Sequence, residues 1–182
     1  SLFSLGSLCE VGDSEVILQA ISQCDDLGID TISFGATVAF SMECVERGLL
    51  DAPWLRFGSG DALLRCLSEL ASGSAFGKLL AKGSRALARQ LGPEAERIAP
   101  HVKGLEIPGY APQALHSMAL GFAVGARGAD HNRSGAYEVD YSDQVDRRDV
   151  QPEQVHLAVE TERRAAIMDS LILCKFIRGT LD

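Results

Sequence analysis

Apolar residues recur at helical spacing along most of the chain. After Asp13, a residue type that caps helices, Val16, Ile17, Ala20, Ile21 and Cys24 fall on one helical face, and Gly28 fits the stop of that helix. A second apolar-periodic stretch covers residues 31–48 and carries Ile32, Ala36, Ala39, Phe40 and Val45. Residues 53–60 interrupt the pattern. Asp61 is then expected to cap a helix with Leu63, Leu64, Leu67 and Leu70, ended by Gly73. One further helix is expected over residues 75–91, with Phe76, Leu79, Leu80 and Leu87, ended by Gly92. Such stripes are read first as core packing.

The texture changes over residues 93–112. Proline, glycine and a short extended-looking segment, residues 102–107, replace the helical period. This places a domain boundary near Pro100 and gives two small helical domains, residues 1–100 and 101–182. Pro112 is expected to open the next helix, through Leu115, Met118, Ala119 and Phe122 to about Gly125. Residues 127–148 are polar, rich in Gly, Asp and Arg, and too long for an idle connection. At the end of this stretch and just past it, Asp143, Asp146, Arg147, Arg148 and Asp149 read as a solvated charged face. Pro152 opens a long helical stretch to about residue 179. Strands are scarce and there is no internal repeat, so the fold class is all-α.

Composition narrows the function classes. With 182 residues, 46% of them hydrophobic and 23% charged, the chain can bury a core. A net charge of -8 disfavours nonspecific nucleic-acid binding, which needs clustered Lys and Arg. No apolar run approaches a membrane span, and no signal-peptide pattern is present. The five cysteines, Cys9, Cys24, Cys44, Cys66 and Cys174, are odd in number and scattered. They do not form a disulfide framework, which points to a reducing compartment, the cytoplasm. Without a C-x-x-C pair the chain alone cannot supply a four-cysteine zinc or cluster site. The start at Ser1, running straight into Leu2-Phe3-Ser4-Leu5, and the end at Asp182 read as a piece of a longer protein.

Three segments could carry chemistry. Residues 25–30 (Asp-Asp-Leu-Gly-Ile-Asp) sit where one helix ends and the next begins. Their carboxylates can accept from amine-type donors, or the segment is a glycine turn with Asp30 capping the next helix. Asp169-x-x-x-x-Cys174 repeats the Asp25-x-x-x-x-Asp30 spacing, with Ile172 matching Gly28 and Leu173 matching Ile29. Lys175 beside Cys174 is expected to favour the thiolate. The plainer reading is a buried structural cysteine. In residues 127–133, His131 can handle a proton near neutral pH, and Arg127 and Arg133 can hold phosphate or a pterin edge; otherwise the segment is a solvated loop. His101, His116 and His156 have no such company.

Taken in order, these segments resemble a known family. Asp25-Asp-Leu-Gly-Ile-Asp30-Thr-Ile-Ser33 resembles the first pterin-binding motif of the aldehyde ferredoxin oxidoreductases, and Asp169-Ser-Leu-Ile-Leu-Cys174-Lys-Phe176 the second. Lys78-Leu-Leu-Ala-Lys-Gly-Ser-Arg85, Val102-Lys-Gly-Leu-Glu-Ile-Pro108 and Ala126-Arg-Gly-Ala-Asp-His131 are similar to intervening family segments. The resemblance implies the two helical domains that follow a β domain in such enzymes. It implies a tungsten or molybdenum held by two pterin dithiolenes, with Asp25, Ile29 and Asp30 at one pterin and Asp169, Leu173 and Cys174 at the other. Arg127 and Arg133 match positions lining the pterin site, Arg133 where a Lys is familiar. His131 matches the active-site histidine, and Cys174 one ligand of a [4Fe–4S] cluster. The implied reaction oxidises an aldehyde to a carboxylic acid and passes electrons to ferredoxin. The implied partners are the missing N-terminal pterin-binding domain, ferredoxin, the aldehyde and a second copy in a homodimer.

Departures from the family pattern set expectations too. The upstream C-x-x-C-x-x-x-C motif and the glutamate expected before Ser1 are absent from this sequence, so the chain alone is expected to bind no cofactor. Ile172 replaces the usual Gly of the second motif. Gln19 stands where some members have a Glu that helps bind an intersubunit iron, so no such iron is expected. The competing reading is a helical binding or scaffold module derived from the family without redox activity, with Ile172 as its support.

Overall fold

A computed structural model describes residues 1–147 and 151–180. Arg148 and Asp149 of the charged segment lie outside the described residues. The fold is all-α: among the described residues the only sheet is one two-stranded hairpin. The chain divides into two compact units, Ser1–Gly109 and Tyr110–Asp182. The hairpin belongs to the first unit, where Glu106 bonds Ser84.

The first unit holds α1 (Leu2–Leu5), α2 (Ser14–Leu27), α3 (Thr31–Glu46), α4 (Gly60–Ser72), α5 (Ala75–Leu80), α6 (Gly83–Leu91), α7 (Pro93–Ile98), β1 (His101–Val102) and β2 (Leu105–Glu106). Asp13 caps α2 as its type predicts, accepting from the Glu15 and Val16 amides. The inner face of α2 buries Ile17, Ala20 and Cys24. The helix α3 departs from the expected stripe: every residue from Phe34 to Met42 is buried. Its buried hydroxyls are satisfied within the helix, Thr37 donating to the Ser33 carbonyl and Ser41 to the Thr37 carbonyl. At Gly35 a Cβ would collide with the Ser4 carbonyl, so α1 can lie directly on α3. Leu5, Val38, Met42, Leu55, Leu63 and Leu67 fill the core around it.

Two boundaries here fall elsewhere than the pattern predicts. Ser59, not Asp61, caps α4, its hydroxyl accepting from the Ala62 amide. Asp61 instead lies in the first turn, where its charge faces the amide end of the helix. The stretch over residues 75–91 is two helices, α5 and α6, broken at Ala81 and Lys82, with Gly83 at φ +78°. The cap of α6 comes from far away in sequence. Glu106, buried on β2, accepts from both the amide and the hydroxyl of Ser84 at 2.8 Å each. The hairpin that carries it turns on Lys103 and Gly104, both at positive φ, as a two-residue turn demands.

The second unit holds α8 (His116–Val124), α9 (His131–Ser134), α10 (Tyr137–Asp140) and α11 (Pro152–Ser170), then a 3-10 turn, Lys175–Thr180. The helix α8 begins at His116 rather than Pro112. Its starting amides are satisfied by buried Asp140, which accepts from Ser117 at 3.0 Å and Met118 at 2.8 Å. Met118 and Phe122 are the buried face of α8. A Cβ on Gly121 would lie 2.7 Å from the Ser134 side chain, so α8 and α9 meet at small residues. The polar segment is therefore not a bare loop: α9 and α10 lie inside it. Pro152 opens α11 as expected, but α11 stops at Ser170 and the chain turns before the 3-10 segment. Among the described residues no helix is long and apolar enough to cross a membrane.

The two remote caps give a direct test. Glu106→Ala leaves the Ser84 donors buried without an acceptor, and Asp140→Ala does the same at Ser117 and Met118. Each is expected to cost about 3 kcal/mol of stability, read as a lower urea midpoint by far-UV circular dichroism. A loss under about 0.5 kcal/mol, the range of ordinary surface changes, would show that these caps are not needed.

Candidate functional site

The two motifs of equal spacing form the same backbone corner, one in each unit. At the end of α2, Gly28 has φ +67°, its amide donates to the Asp25 carbonyl at 3.1 Å, and the Ile29 amide donates to the Cys24 carbonyl at 2.8 Å. At the end of α11, Ile172 has φ +57°, its amide donates to the Asp169 carbonyl at 3.1 Å, and the Leu173 amide donates to the Met168 carbonyl at 2.9 Å. These are the bonds of a left-handed helix cap, residue for residue in the same register. Each corner feeds a new helical start. Asp30 caps α3, its Oδ2 accepting from the Ser33 amide at 2.7 Å. The Cys174 carbonyl accepts from the Ile177 amide at the head of the 3-10 turn.

Ile172 thus occupies the left-handed position that its glycine counterpart would take freely. A β-branched residue there is strained. Its side chain is 92% exposed, so it crowds nothing within the unit and leaves the corner's hydrogen bonds intact.

The first corner borders a cleft of about 180 Å³. Ile29, Asp30, Ser33 and Thr37 supply one wall, and Ala81 and Gly83 belong to the other. Asp30, which lines the cleft, is exposed, as is Asp25 at the end of α2. The cleft combines carboxylate and hydroxyl groups with an apolar floor that includes Phe34 and Leu80.

In the second unit Asp169 is half-exposed and held by two cations. Lys175 Nζ lies 2.8 Å from its Oδ1 and also donates to the Ala165 carbonyl at 2.8 Å, while Arg133 lies 3.5 Å from Oδ2. The Lys175 hydrogen bond, with help from Arg133 and Arg127, holds the Asp169 carboxyl below the usual carboxylate range. Lys175, expected at the Cys174 thiolate, therefore directs its ammonium to Asp169 and Ala165. Arg127 pairs with Asp130 at 2.9 Å, and Asp130 caps α9 through the Asn132 and Arg133 amides. His131, the first residue of α9, stacks with Tyr110 at 5.4 Å between ring centroids. Tyr137 stacks on Tyr110 at 5.1 Å and lies 6.4 Å from His131. Sequence reasoning missed Tyr110, Tyr137, Asp130 and the role of Lys175. The reach of Lys175 to Asp169 becomes legible only once the left-handed turn between them is known.

The cysteines separate by environment. Cys9, Cys24, Cys44 and Cys66 are fully buried, whereas Cys174 is exposed rather than structural. Cys9 donates to the Ser4 and Gly35 carbonyls. Burial pushes the Cys9 and Cys66 thiols up to about 12 and those of Cys24 and Cys44 up to about 11. Asp25 and Asp30 add to the shift at Cys24. Among the described residues no three His, Cys, Asp or Glu side chains are grouped to hold a metal ion.

Comparison with known proteins agrees along the whole length. A family model described as aldehyde ferredoxin oxidoreductase, domains 2 and 3, matches residues 1–182. The chain is 34% identical over 186 residues to a tungsten-containing aldehyde ferredoxin oxidoreductase of Pyrococcus furiosus, covering 97% of this chain and 30% of that protein. It is 33% identical over 186 residues to the protein of the same name from Thermococcus kodakarensis, with the same coverage of both. The chain therefore spans about 30% of the length of these relatives.

Two outcomes follow from this geometry. Ile172→Gly removes the left-handed strain and is expected to stabilise the chain by about 1 kcal/mol, while Gly28→Ile costs about as much, both read by thermal unfolding. Equal and small effects at both positions would contradict the shared corner. Under native conditions iodoacetamide is expected to alkylate Cys174 alone, with all five cysteines reacting in urea, as mass spectrometry of digests reports.

Proposed function

The chain belongs to the aldehyde ferredoxin oxidoreductase family, and we propose that it supplies two pterin-binding corners and a proton-handling histidine to a tungsten enzyme that oxidises aldehydes to carboxylic acids. The observation that carries this reading is the repeated corner. Residues 25–30 and 169–174 place an acidic helix end, a left-handed residue and a second polar side chain in one register. That set of acceptors suits a pterin, whose amino and ring N–H groups donate. Asp30 is an exposed carboxylate lining a cleft with an apolar floor, and Asp25 is exposed at the same helix end, so the first corner suits a flat heterocycle with polar edges. The second corner keeps the same backbone with Ile172 in place of glycine, which argues against the scaffold reading based on that substitution.

In this assignment Asp25, Ile29 and Asp30 hold one pterin, and Asp169, Leu173 and Cys174 the other. When bound, the metal supplies the two-electron chemistry, and the protein supplies position and charge. Lys175 and Arg133 keep Asp169 ionised and aimed, so it enters the site as an acceptor. Arg127 and Arg133 add positive charge where anionic groups of the cofactor would lie. In this reading His131 exchanges a proton with water or the substrate oxygen. Cys174, the exposed thiol, is one ligand of a [4Fe–4S] cluster whose other ligands come from outside this sequence. The remaining partners in this reading are an N-terminal pterin-binding domain, ferredoxin, the aldehyde and a second copy of the protein, all in the cytoplasm.

The test is a full-length protein carrying this chain, assayed for tungsten, pterin and iron and for aldehyde-dependent reduction of a viologen dye. Cys174→Ser is expected to lose cluster iron. His131→Asn is expected to lower kcat by about 10²- to 10⁴-fold with metal content unchanged. A loaded protein that reduces no dye with any aldehyde overturns the reading.

A further inference from the structure

We propose that Arg85 and Arg89, on the outer face of α6 beside the hairpin turn, form a docking surface for an acidic protein segment. The inference does not rest on the reading of the pterin corners. Residues 78–103 hold six Lys and Arg against two Glu, in a chain whose net charge is -8. The helix α6 buries Ser84, Leu87 and Ala88 and leaves Arg85 and Arg89 exposed. One turn apart, the two arginines share a face, with Cβ atoms about 5–6 Å apart. The hairpin braces the first of them. Arg85 Nη1 donates to the Lys103 carbonyl at 3.2 Å, and a Cβ on Gly104 would stand 3.1 Å from both Cδ and Nη1 of Arg85. The guanidinium thus lies on the turn where glycine leaves room for it.

The pair departs from the rule that the rest of the chain follows. Exposed arginines on other helices meet a carboxylate three or four residues away: Arg47 with Glu43, Arg65 with Glu69, and Arg163 with Glu160. On α6 the residue four positions from one arginine is the other, an arrangement that weakens a helix. Among the described residues neither forms an ion pair. Glu106 on the hairpin is buried and bonded to Ser84. His101 registers the uncompensated charge: burial and then Arg85 hold its imidazole below the ordinary range, Arg89 adds to this, and Glu106 opposes it. Like charges kept together on an exposed face fit a partner that supplies the missing carboxylates. Each guanidinium carries a fork of N–H donors that can grip a carboxylate at two points. Two forks one turn apart match carboxylates at i and i+4 of a helix, or at i and i+2 of a strand, each pair about 6 Å apart. A nucleic acid fits less well, because its phosphates continue past the patch onto a chain that is acidic outside residues 78–103.

The test is a titration of the ¹⁵N-labelled chain with poly-L-glutamate at low salt, followed by amide shifts. Saturable shifts are expected at α6 and the hairpin, weakening as sodium chloride is raised. The double variant Arg85→Glu/Arg89→Glu is expected to bind about tenfold more weakly. Arg56→Glu/Arg163→Glu, which changes the net charge equally, is expected to bind as the unsubstituted chain does. Equal losses in the two double variants, or shifts centred elsewhere, would overturn the proposal, since binding would then follow net charge alone. A single-stranded DNA oligonucleotide that saturates the same amides at lower concentration than poly-L-glutamate also overturns it. So does dimerisation of the unsubstituted chain that Arg85→Glu/Arg89→Glu abolishes, because a second copy would then be the occupant. Should the loss of Arg85 unsettle the hairpin, Arg89→Gln decides. The Arg89 side chain makes no hydrogen bond or ion pair among the described residues. Its replacement is expected to leave the fold intact and weaken binding severalfold, and unchanged binding overturns the proposal.

Discussion

A helix that starts inside a protein brings unpaired amides with it, and each must find an acceptor or lose hydrogen-bond energy that water would have supplied. Both units meet this requirement with a buried carboxylate from a distant part of the chain. Glu106 answers the amide end of α6, and Asp140 that of α8. Each bond does more than satisfy a donor. The Glu106 contact fastens the hairpin to α6 and fixes the Gly83–Ser84 turn, part of the cleft wall opposite Asp30. The Asp140 contact fastens α10 to α8 and thereby sets where Tyr137 stands. One wall of the first cleft and the placement of α10 thus each rest on one buried carboxylate.

The two corners show how far backbone geometry can be separated from residue identity. Gly28 and Ile172 share a conformation that favours glycine, and the hydrogen bonds around them agree to within 0.1 Å. What sets the corner is the need to satisfy the last carbonyls of a long helix while a new helical segment starts at once. Ile172 meets that need at some strain, because its side chain points to open space. Strain tolerated at such a place fits a constraint on the corner itself rather than on the residue at its tip.

Local chemistry made much of the fold legible in the sequence. Asp13, Gly28 and Pro152 marked helix limits because capping and termination act over three or four residues. The repeated spacing of Asp25–Asp30 and Asp169–Cys174 marked the corners for the same reason. The features that escaped depend on contacts far apart in the chain. The α8 start could not be read from Pro112, because its cap lies more than twenty residues downstream. The burial of α3 on all faces was hidden by Ser and Thr, which read as solvent-facing until their hydroxyls are seen to bond the preceding turn. The stack of Tyr110 and Tyr137 on His131 leaves no periodic trace. The break between α5 and α6 was masked because both helices carry leucines in a compatible rhythm.

The corners share a backbone but not an electrostatic setting, and this difference bears on their roles. In the first, Asp30 spends one oxygen on the α3 cap, and Asp25 and Asp30 lie exposed, so the corner presents net negative charge to a ligand. In the second, Lys175 and Arg133 flank Asp169, and the position equivalent to Asp30 is a cysteine. A neutral donor-rich edge is held well by either. An anionic neighbour, such as a thiolate-bound cluster, is tolerated far better beside the second, where two cations offset the local charge. In the proposed assignment, Cys174 sits at the corner where Lys175 and Arg133 lie closest to an acidic group.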